Sequence, residues 1–350
     1  MVPAPRTLEV ASCPVCGEQS TRTCFTAPDL LHAVPGLFQY AECSGCRTVF
    51  QNPRVRDEDL GSCYPQDYYT HGGSAWVPTP APVGSLRDRL RRAIRAAADG
   101  MPDERVSPGF RFAGRLLALH PGLRRRARLG LVDGLELTPG RHGRCLEVGP
   151  GQGIDLFCLR ALGWEAHGLD VDPLAAEQAR ATSGCEVRLG TLASTDYPPS
   201  SFDLVYMSHV FEHLPDPRPA LTRCLALLKP GGRLVLVYPN PGALSARLYG
   251  PTSVVWDPPR HLVLPPPRAV AALAERCGFV EARASTTARQ AAVHCEAARR
   301  RRRGERWDPL HLEKPRLIDR AFALAEALLV TSGWPVGEEV VLRARRLAAP

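Results

Sequence analysis

Two groups of residues have types and spacing that can do chemistry. The first is Cys13-Pro-Val-Cys16 with Cys43-Ser-Gly-Cys46, two C-x2-C pairs separated by 26 residues. Knuckles spaced in this way set four thiolates around one ion, as tetrahedral structural zinc requires. Four ligands close the shell, so the site is expected to be structural rather than catalytic. Gly17 suits the tight turn after the first knuckle, whereas Arg47 stands at the equivalent place in the second. The second group is Glu147-Val-Gly149-Pro-Gly151-Gln-Gly153, with Asp170 following. Gly149 and Gly151 permit positive φ and withhold the Cβ atoms that would keep a ligand off the backbone. Gly153 lets the next helix begin close against its strand. Asp170, at the end of the following strand, can accept two hydrogen bonds from a ribose diol.

What surrounds the glycines selects the nucleotide. A dinucleotide fingerprint runs G-x-G-x-x-G, and the third position after Gly151 is Ile154 rather than glycine. An acid two residues before the loop repels pyrophosphate but suits an ammonium group. S-adenosylmethionine carries that ammonium, a ribose and an adenine, and no phosphate. The run E-V-G-P-G-Q-G, followed by H-G-L-D, resembles the S-adenosylmethionine site of class I methyltransferases. The segments S-F-D-L-V at 201–205 and H-V-F-E-H-L-P-D-P at 209–217 resemble the same family, in which they lie beneath the methionine part of the cofactor. The resemblance implies S-adenosyl-L-methionine as cofactor. Its contacts would be Glu147, Gly149, Gly151, Gly153, Asp170, Val171, Thr191, Leu192 and Ser208. Family members carry an acid near Thr191, so the threonine is a departure that weakens an adenine contact. Residues 13–71 resemble the N-terminal zinc-binding module of bacterial methyltransferases that act on sugars, polysaccharides and natural products. That implies Zn2+ on Cys13, Cys16, Cys43 and Cys46, and a small-molecule or glycan-precursor acceptor. The resemblance covers residues 13–71 and 140–285.

Methyl transfer asks little of acid–base chemistry, because in-line positioning supplies most of the barrier reduction. A hydroxyl or carbon acceptor must still lose a proton, which makes histidine a candidate base. His209, His213 and His261 are the candidates, and His261 is preferred because it lies on a loop after the fifth strand. On the same loop Trp256 offers a stacking face and Arg260 a bidentate fork for a phosphate or carboxylate. The acceptor is expected to enter between the 240–264 loop and the cysteine module, over the carboxyl ends of a parallel sheet.

The elements that must position these groups follow from periodicity. Strands are expected at 144–148, 166–169, 186–189, 201–207, 233–237, 279–285 and 338–343, with helices at 154–162 and 267–277 between them. The expected fold class is α/β: a seven-stranded Rossmann-like sheet of the class I methyltransferase type, with helices on both faces and a small N-terminal zinc ribbon. Three segments are expected, a zinc-ribbon module at 9–71, a linker and basic helical segment at 72–138, and a methyltransferase domain at 139–350. In the last, an insertion at about 286–336 replaces a short hairpin. It holds an amphipathic helix at 317–329 and the five arginines Arg299 to Arg303, expected as a solvated loop.

Composition narrows the remaining classes. The chain has 350 residues, 44% of them hydrophobic, and no run of 18 apolar residues that would span a membrane. The N-terminus lacks the basic and apolar regions of a signal peptide. Twelve cysteines, four of them in paired spacing, fit reduced thiols and a cytoplasmic location better than a disulfide framework. The net charge of +8 and the basic 86–131 stretch leave a methyltransferase acting on RNA as the alternative, with nucleic acid as partner. A non-catalytic protein with a cofactor fold is the third reading. It stands against the presence of every glycine, Glu147 and Asp170. The sequence is silent on oligomeric state.

Overall fold

A computed structural model describes residues 4–64, 86–99, 106–120, 123, 135, 143–305, 307 and 315–348. Of the 72–138 segment, residues 72–85, 100–105, 121–122, 124–134 and 136–138 lie outside the described residues. Two compact units are present, one formed by 1–72 with 192–350 and the other by 73–191.

The first unit opens with a cysteine-bearing sheet. Strands β1 (Thr7–Leu8) and β5 (Arg54–Val55) pair antiparallel. Strands β2 (Thr21–Ala27), β3 (Phe38–Cys43) and β4 (Val49–Gln51) form an antiparallel meander. The knuckle turns are closed by Gly17 N–H donating to Cys13 O and Arg47 N–H donating to Cys43 O. Both Gly17 (φ 83°) and Arg47 (φ 65°) adopt left-handed backbone. The second knuckle therefore keeps its geometry with a side chain present, at the usual steric cost.

The second unit contains helices α1 (Leu86–Asp99) and α2 (Pro108–Ala118). They approach so closely that a Cβ on Gly114 would run into the backbone of Ala93. Its sheet has three parallel strands in the order β6 (Arg144–Val148), β7 (Glu165–Asp170), β8 (Glu186–Leu189). Between them lie α3 (Ile154–Ala161) and α4 (Pro173–Ser183). Asp172 caps α4 by accepting from Leu174 N–H and Ala175 N–H, with Pro173 at the first helical position. Gly153 starts α3 at φ 76°, and a Cβ there would lie 2.7 Å from Ala179 Cα. That contact, rather than any ligand, is what excludes a side chain.

The rest of the first unit carries four strands in the order β12 (Val280–Thr287), β13 (Glu339–Arg345), β10 (Leu228–Pro239), β9 (Phe202–Ser208). β9 and β10 are parallel, while β13 runs antiparallel to both neighbours. Among the described residues three of these strands belong to one unit and four to the other. Helices α5 (Pro217–Leu227) and α7 (Pro267–Arg276) connect them. A short helix, α6 (Leu244–Tyr249), opens the loop after β10, and that loop ends in β11 (Val263–Leu264).

Two expectations change here. β11 pairs antiparallel with β4, Val263 opposite Phe50 and Leu264 opposite Val49, so the loop after β10 joins the cysteine-module sheet as a fourth strand. An acceptor path between loop and module is closed along that pairing, because both backbones spend their hydrogen bonds on each other. The five arginines are not a solvated loop either. Four of them end helix α8 (Ala291–Arg302). Arg299 pairs with buried Asp319 of α9 (Leu317–Thr331), and buried Arg301 lies over the Trp307 ring. Buried Asp319 and Glu296 draw Arg299 and Arg300 inward while Arg302 and Arg303 stay exposed, a division that a charge count along the sequence cannot show.

Candidate active site and cysteine cluster

The four knuckle sulfurs converge. Cys13 Sγ lies 3.6 Å from Cys46 Sγ, and Cys16 Sγ lies 3.5 Å from Cys43 Sγ. All four ligand atoms fall within 4.8 Å of one another. Ligands about 2.3 Å from a tetrahedral zinc stand about 3.8 Å apart, so the donor set and its spacing fit Zn2+. Cys46 N–H points at Cys43 Sγ, 3.5 Å away, as knuckle amides do towards a thiolate.

In the second unit, Gly149 (φ 69°) and Gly151 (φ 52°) carry the chain from β6 to α3 in a conformation that penalises any side chain. Glu147 is buried, and its Oε2 has no hydrogen-bond partner among the described residues. Burial, with the charges of Asp155 and Asp170, pushes its carboxyl well above the ordinary glutamate range. A buried carboxyl oxygen without a partner is costly unless a ligand donor arrives to satisfy it. Asp170 ends β7, buried, accepting from Asp172 N–H at 3.0 Å. Burial raises its pKa, while the amides of Asp172, Gly151 and Val171 oppose the rise. Beside it Val171 is 67% exposed, an apolar side chain left in solvent. Thr191 is exposed just beyond β8, after Gly190 N–H donates to Asp170 O.

In the first unit Leu192 is buried, and its carbonyl accepts from Arg223. Ser208 ends β9 half-buried. His209 follows at φ 55°, its amide anchored to Val237 O. Its ring stands between two buried carboxylates, Nδ1 3.4 Å from Glu212 Oε1 and Nε2 3.2 Å from Glu339 Oε1. Burial opposes charge on this imidazole, but the pair of acids holds its pKa well above the ordinary range. His209 is therefore an imidazolium near neutral pH and is poorly suited to accept a proton. A single 3₁₀ turn (Phe211–His213) then presents Glu212 and His213. His213 Nδ1 donates to Arg260 O at 2.9 Å, with Tyr64 Oη 3.0 Å away. His261 Nδ1 donates to Val255 O at 2.7 Å, and burial pushes the ring down to about 4. The two imidazoles meet edge to face, centroids 5.0 Å apart.

The loop side chains expected to meet the acceptor are turned to other work. Arg260 is fully buried, its guanidinium shared by Asp29 and Asp257 with all four N···O distances at 2.9 Å. A fork already satisfied by two carboxylates does not await an anion, so Arg260 is a fastener between loop and module. Trp256 packs on Phe25 and Tyr40 and donates through Nε1 to Gly250 O, which uses its faces internally. The residues that hold this cluster and escaped sequence reasoning are Asp29, Tyr40, Tyr64, Asp257 and Glu339. Tyr40 Oη reaches both Trp256 O and His261 O. Only Asp257 stood near a singled-out motif, and no spacing marks the others.

Comparison with known proteins agrees with the glycine loop. Residues 122–281 match the family model described as a methyltransferase domain. This range holds the glycine loop, Asp170 and the H-V-F-E-H-L-P-D-P run. A ubiquinone biosynthesis O-methyltransferase of Paracidovorax citrulli is 34% identical over 112 residues, 30% of this chain and 46% of its own. Another of Xanthomonas campestris pv. campestris is 32% identical over 148 residues, 39% of this chain and 57% of its own. The match thus spans about half the length of these curated relatives. Among solved structures, a SAM-dependent methyltransferase of Thermotoga maritima, a possible histamine N-methyltransferase, is 21% identical. It covers 58% of this chain and 81% of that one, with a TM-score of 0.40.

Proposed function

We propose that the protein transfers a methyl group from S-adenosyl-L-methionine to a small-molecule or glycan-precursor acceptor, most readily at oxygen. The observation that carries this reading is the buried carboxyl of Glu147, its Oε2 without a partner among the described residues, beside a left-handed glycine turn and ahead of Asp170. That donor set fits a ligand with a cationic amino acid end and a ribose. Glu147 would meet the ammonium, Gly149 and Gly151 would leave room for the backbone approach, Gly153 would set the start of α3 beside the ligand, and Asp170 would accept from the ribose hydroxyls. Exposed Val171 offers an apolar face for adenine, with Thr191, Leu192 and Ser208 as the further proposed contacts. The sulfonium supplies an activated methyl group when the cofactor is bound. The names of the curated relatives support an oxygen acceptor. The proposed proton handling belongs to the His213 and His261 cluster, whose Nδ1 atoms are tied to carbonyls so that each Nε2 lone pair is left for a proton or, in its place, a metal ion. On this reading the chain divides into a zinc ribbon at 9–71, a connecting segment at 72–138 and a catalytic domain at 139–350.

The test is titration calorimetry. S-adenosylmethionine should bind the wild type, Asp170→Ala should lose about 1.5–3 kcal/mol as for a hydrogen bond to a charged group, and NAD should not bind. Burial raises the Glu147 carboxyl above its ordinary range in the free protein, and a cationic ligand favours its carboxylate. Binding should therefore release a proton, and affinity should rise as pH climbs towards the raised value of the free protein. Buffers of different ionisation enthalpy read that proton directly, and Glu147→Gln should remove it. Binding of NAD without S-adenosylmethionine binding would end the proposal.

A further inference from the structure

Glu212, His213 and His261 bring one carboxylate and two imidazoles together with no hydrogen bond between them. Glu212 Oε1 lies 4.0 Å from His213 Nε2 and 3.8 Å from His261 Nε2. The three ligand atoms all lie within 4.8 Å of one another. The direction of each lone pair follows from the partners behind it. His213 Nδ1 faces Arg260 O and His261 Nδ1 faces Val255 O, and a carbonyl only accepts. Each neutral ring therefore carries its hydrogen on Nδ1 and points the Nε2 lone pair at the other two members. The carboxylate they face is completely buried, and neither oxygen has a hydrogen-bond partner among the described residues. His209, 3.4 Å from the same oxygen, offers charge but completes no hydrogen bond, and its other nitrogen is engaged by Glu339. Two lone pairs and a carboxylate converging on one point repel each other unless something positive stands between them.

We propose that Glu212, His213 and His261 bind a divalent first-row transition ion, a second metal site separate from the four cysteines. Ligands about 2.1 Å from such an ion stand roughly 3.0–4.2 Å apart, according to the angle between them, which brackets the observed separations. Two nitrogens and one oxygen select Zn2+, Mn2+, Co2+ or Fe2+ over Mg2+ and Ca2+, which prefer oxygen alone. The outer contacts have the form usual for metal-bound histidine, each ring donating its other N–H to a backbone carbonyl. Those carbonyls belong to Val255 and Arg260, and Tyr40 and buried Arg260 lock the same loop onto the cysteine module. Three protein ligands leave at least one coordination position open, the arrangement of a catalytic rather than a structural ion. If the methyl-transfer reading holds, such an ion would lower the pKa of an acceptor hydroxyl there. That role rests on the reading above, whereas metal binding does not.

The full chain, with its cysteine site loaded with zinc, is titrated with Mn2+ while the signal of the free ion is followed by electron paramagnetic resonance. Mn2+ does not displace zinc from four thiolates, so the readout reports the His/Glu site. One ion per chain should bind in the wild type, and Glu212→Gln and His261→Asn should each weaken binding by about tenfold or more. Co2+ added in the same way should give a visible absorption without a thiolate charge-transfer band. Failure of the wild type to bind either ion at one per chain, or unchanged binding in both variants, overturns the proposal. S-adenosylmethionine binding, measured on the same samples with and without metal, reports the methyl-transfer reading independently. The wild-type titration decides the matter even where a variant fails to fold.

Discussion

Arg260 shows how a single side chain can be misplaced by its chemistry. Next to His261 on a proline-rich loop, a guanidinium reads as an anion receptor. In the fold it is fully buried and engages Asp29 and Asp257 in two bidentate pairs. Removing one partner leaves an uncompensated buried charge, which costs more than the pair contributes. Asp29→Asn and Arg260→Met are expected to destabilise the first unit by about 3–5 kcal/mol, read as a lower midpoint in denaturant unfolding. A ligand-binding role for Arg260 would instead raise KM with the midpoint unchanged. The pH dependence has a definite sign. Burial acts to raise both acids, but Arg260 overcomes it and holds Asp29 and Asp257 below the ordinary aspartate range. Their contribution is complete above the unfolded value near 3.8 and is lost as pH falls through the folded values. The cost of Asp29→Asn should accordingly shrink as pH falls through that range, read from denaturant midpoints at neutral and acid pH.

At the scale of elements, the segment between β12 and β13 owes its order to buried charge. Helix α9 buries Asp319, which accepts from Arg299, and Glu326, which accepts from Glu338 N–H at 3.0 Å at the mouth of β13. Glu338 also receives Ser245 and stands 3.0 Å from His294. Burial, and then the neighbouring Glu338, pushes Glu326 well above the ordinary value near 4.5. A raised acid binds its proton more tightly folded than unfolded, so stability is greatest below about pH 4.5 for this group and falls as pH climbs towards the raised folded value. Glu326→Gln keeps the amide contact and cannot ionise. The variant should be relatively more stable than the wild type at pH 9 than at pH 6, as measured by thermal unfolding at both. An equal difference at the two values would remove Glu326 as the source. Glycine plays the opposite, purely steric part in the second unit, where Gly114 and Gly153 let helices touch backbone to backbone.

Across the first unit, the cysteine module and the loop after β10 form one sheet. β11 hydrogen-bonds to β4, Tyr40 Oη reaches Trp256 O and His261 O, and Arg260 reaches Asp29. Closed cysteine sites contribute folding energy through their ion. Stripping metal from the protein should therefore loosen β2, β3 and β4 and, with them, residues 253–264. Hydrogen exchange followed by mass spectrometry should show both segments losing protection together, while β9 and β10 stay protected. Loss confined to residues 10–64 would mean that the loop is held by the α/β strands alone. Among the described residues no helix is long and apolar enough to cross a membrane.

The sequence by itself determined what depends on near neighbours in the chain. C-x2-C turns, the glycine loop with Glu147 ahead of it, Asp170 closing the next strand, and the order of strands and helices are all local in this sense. Periodicity and positive-φ positions express them within about twenty residues. Tertiary structure alone decided which polar residues lie inside. Asp29 and Arg260 are 231 residues apart and Tyr40 and His261 are 221 apart, and nothing short-range marks such partners. A partner 231 residues away makes Arg260 a buried fastener, and Asp319, 20 residues on, orders Arg299 at the end of α8 through packing that no motif marks. It also assembled Glu212, His213 and His261, where two lone pairs face a buried carboxylate only because the loop that supplies His261 is held as a strand of another sheet. Burial sets the energy of every polar group in that cluster, and burial is a property of the packed chain.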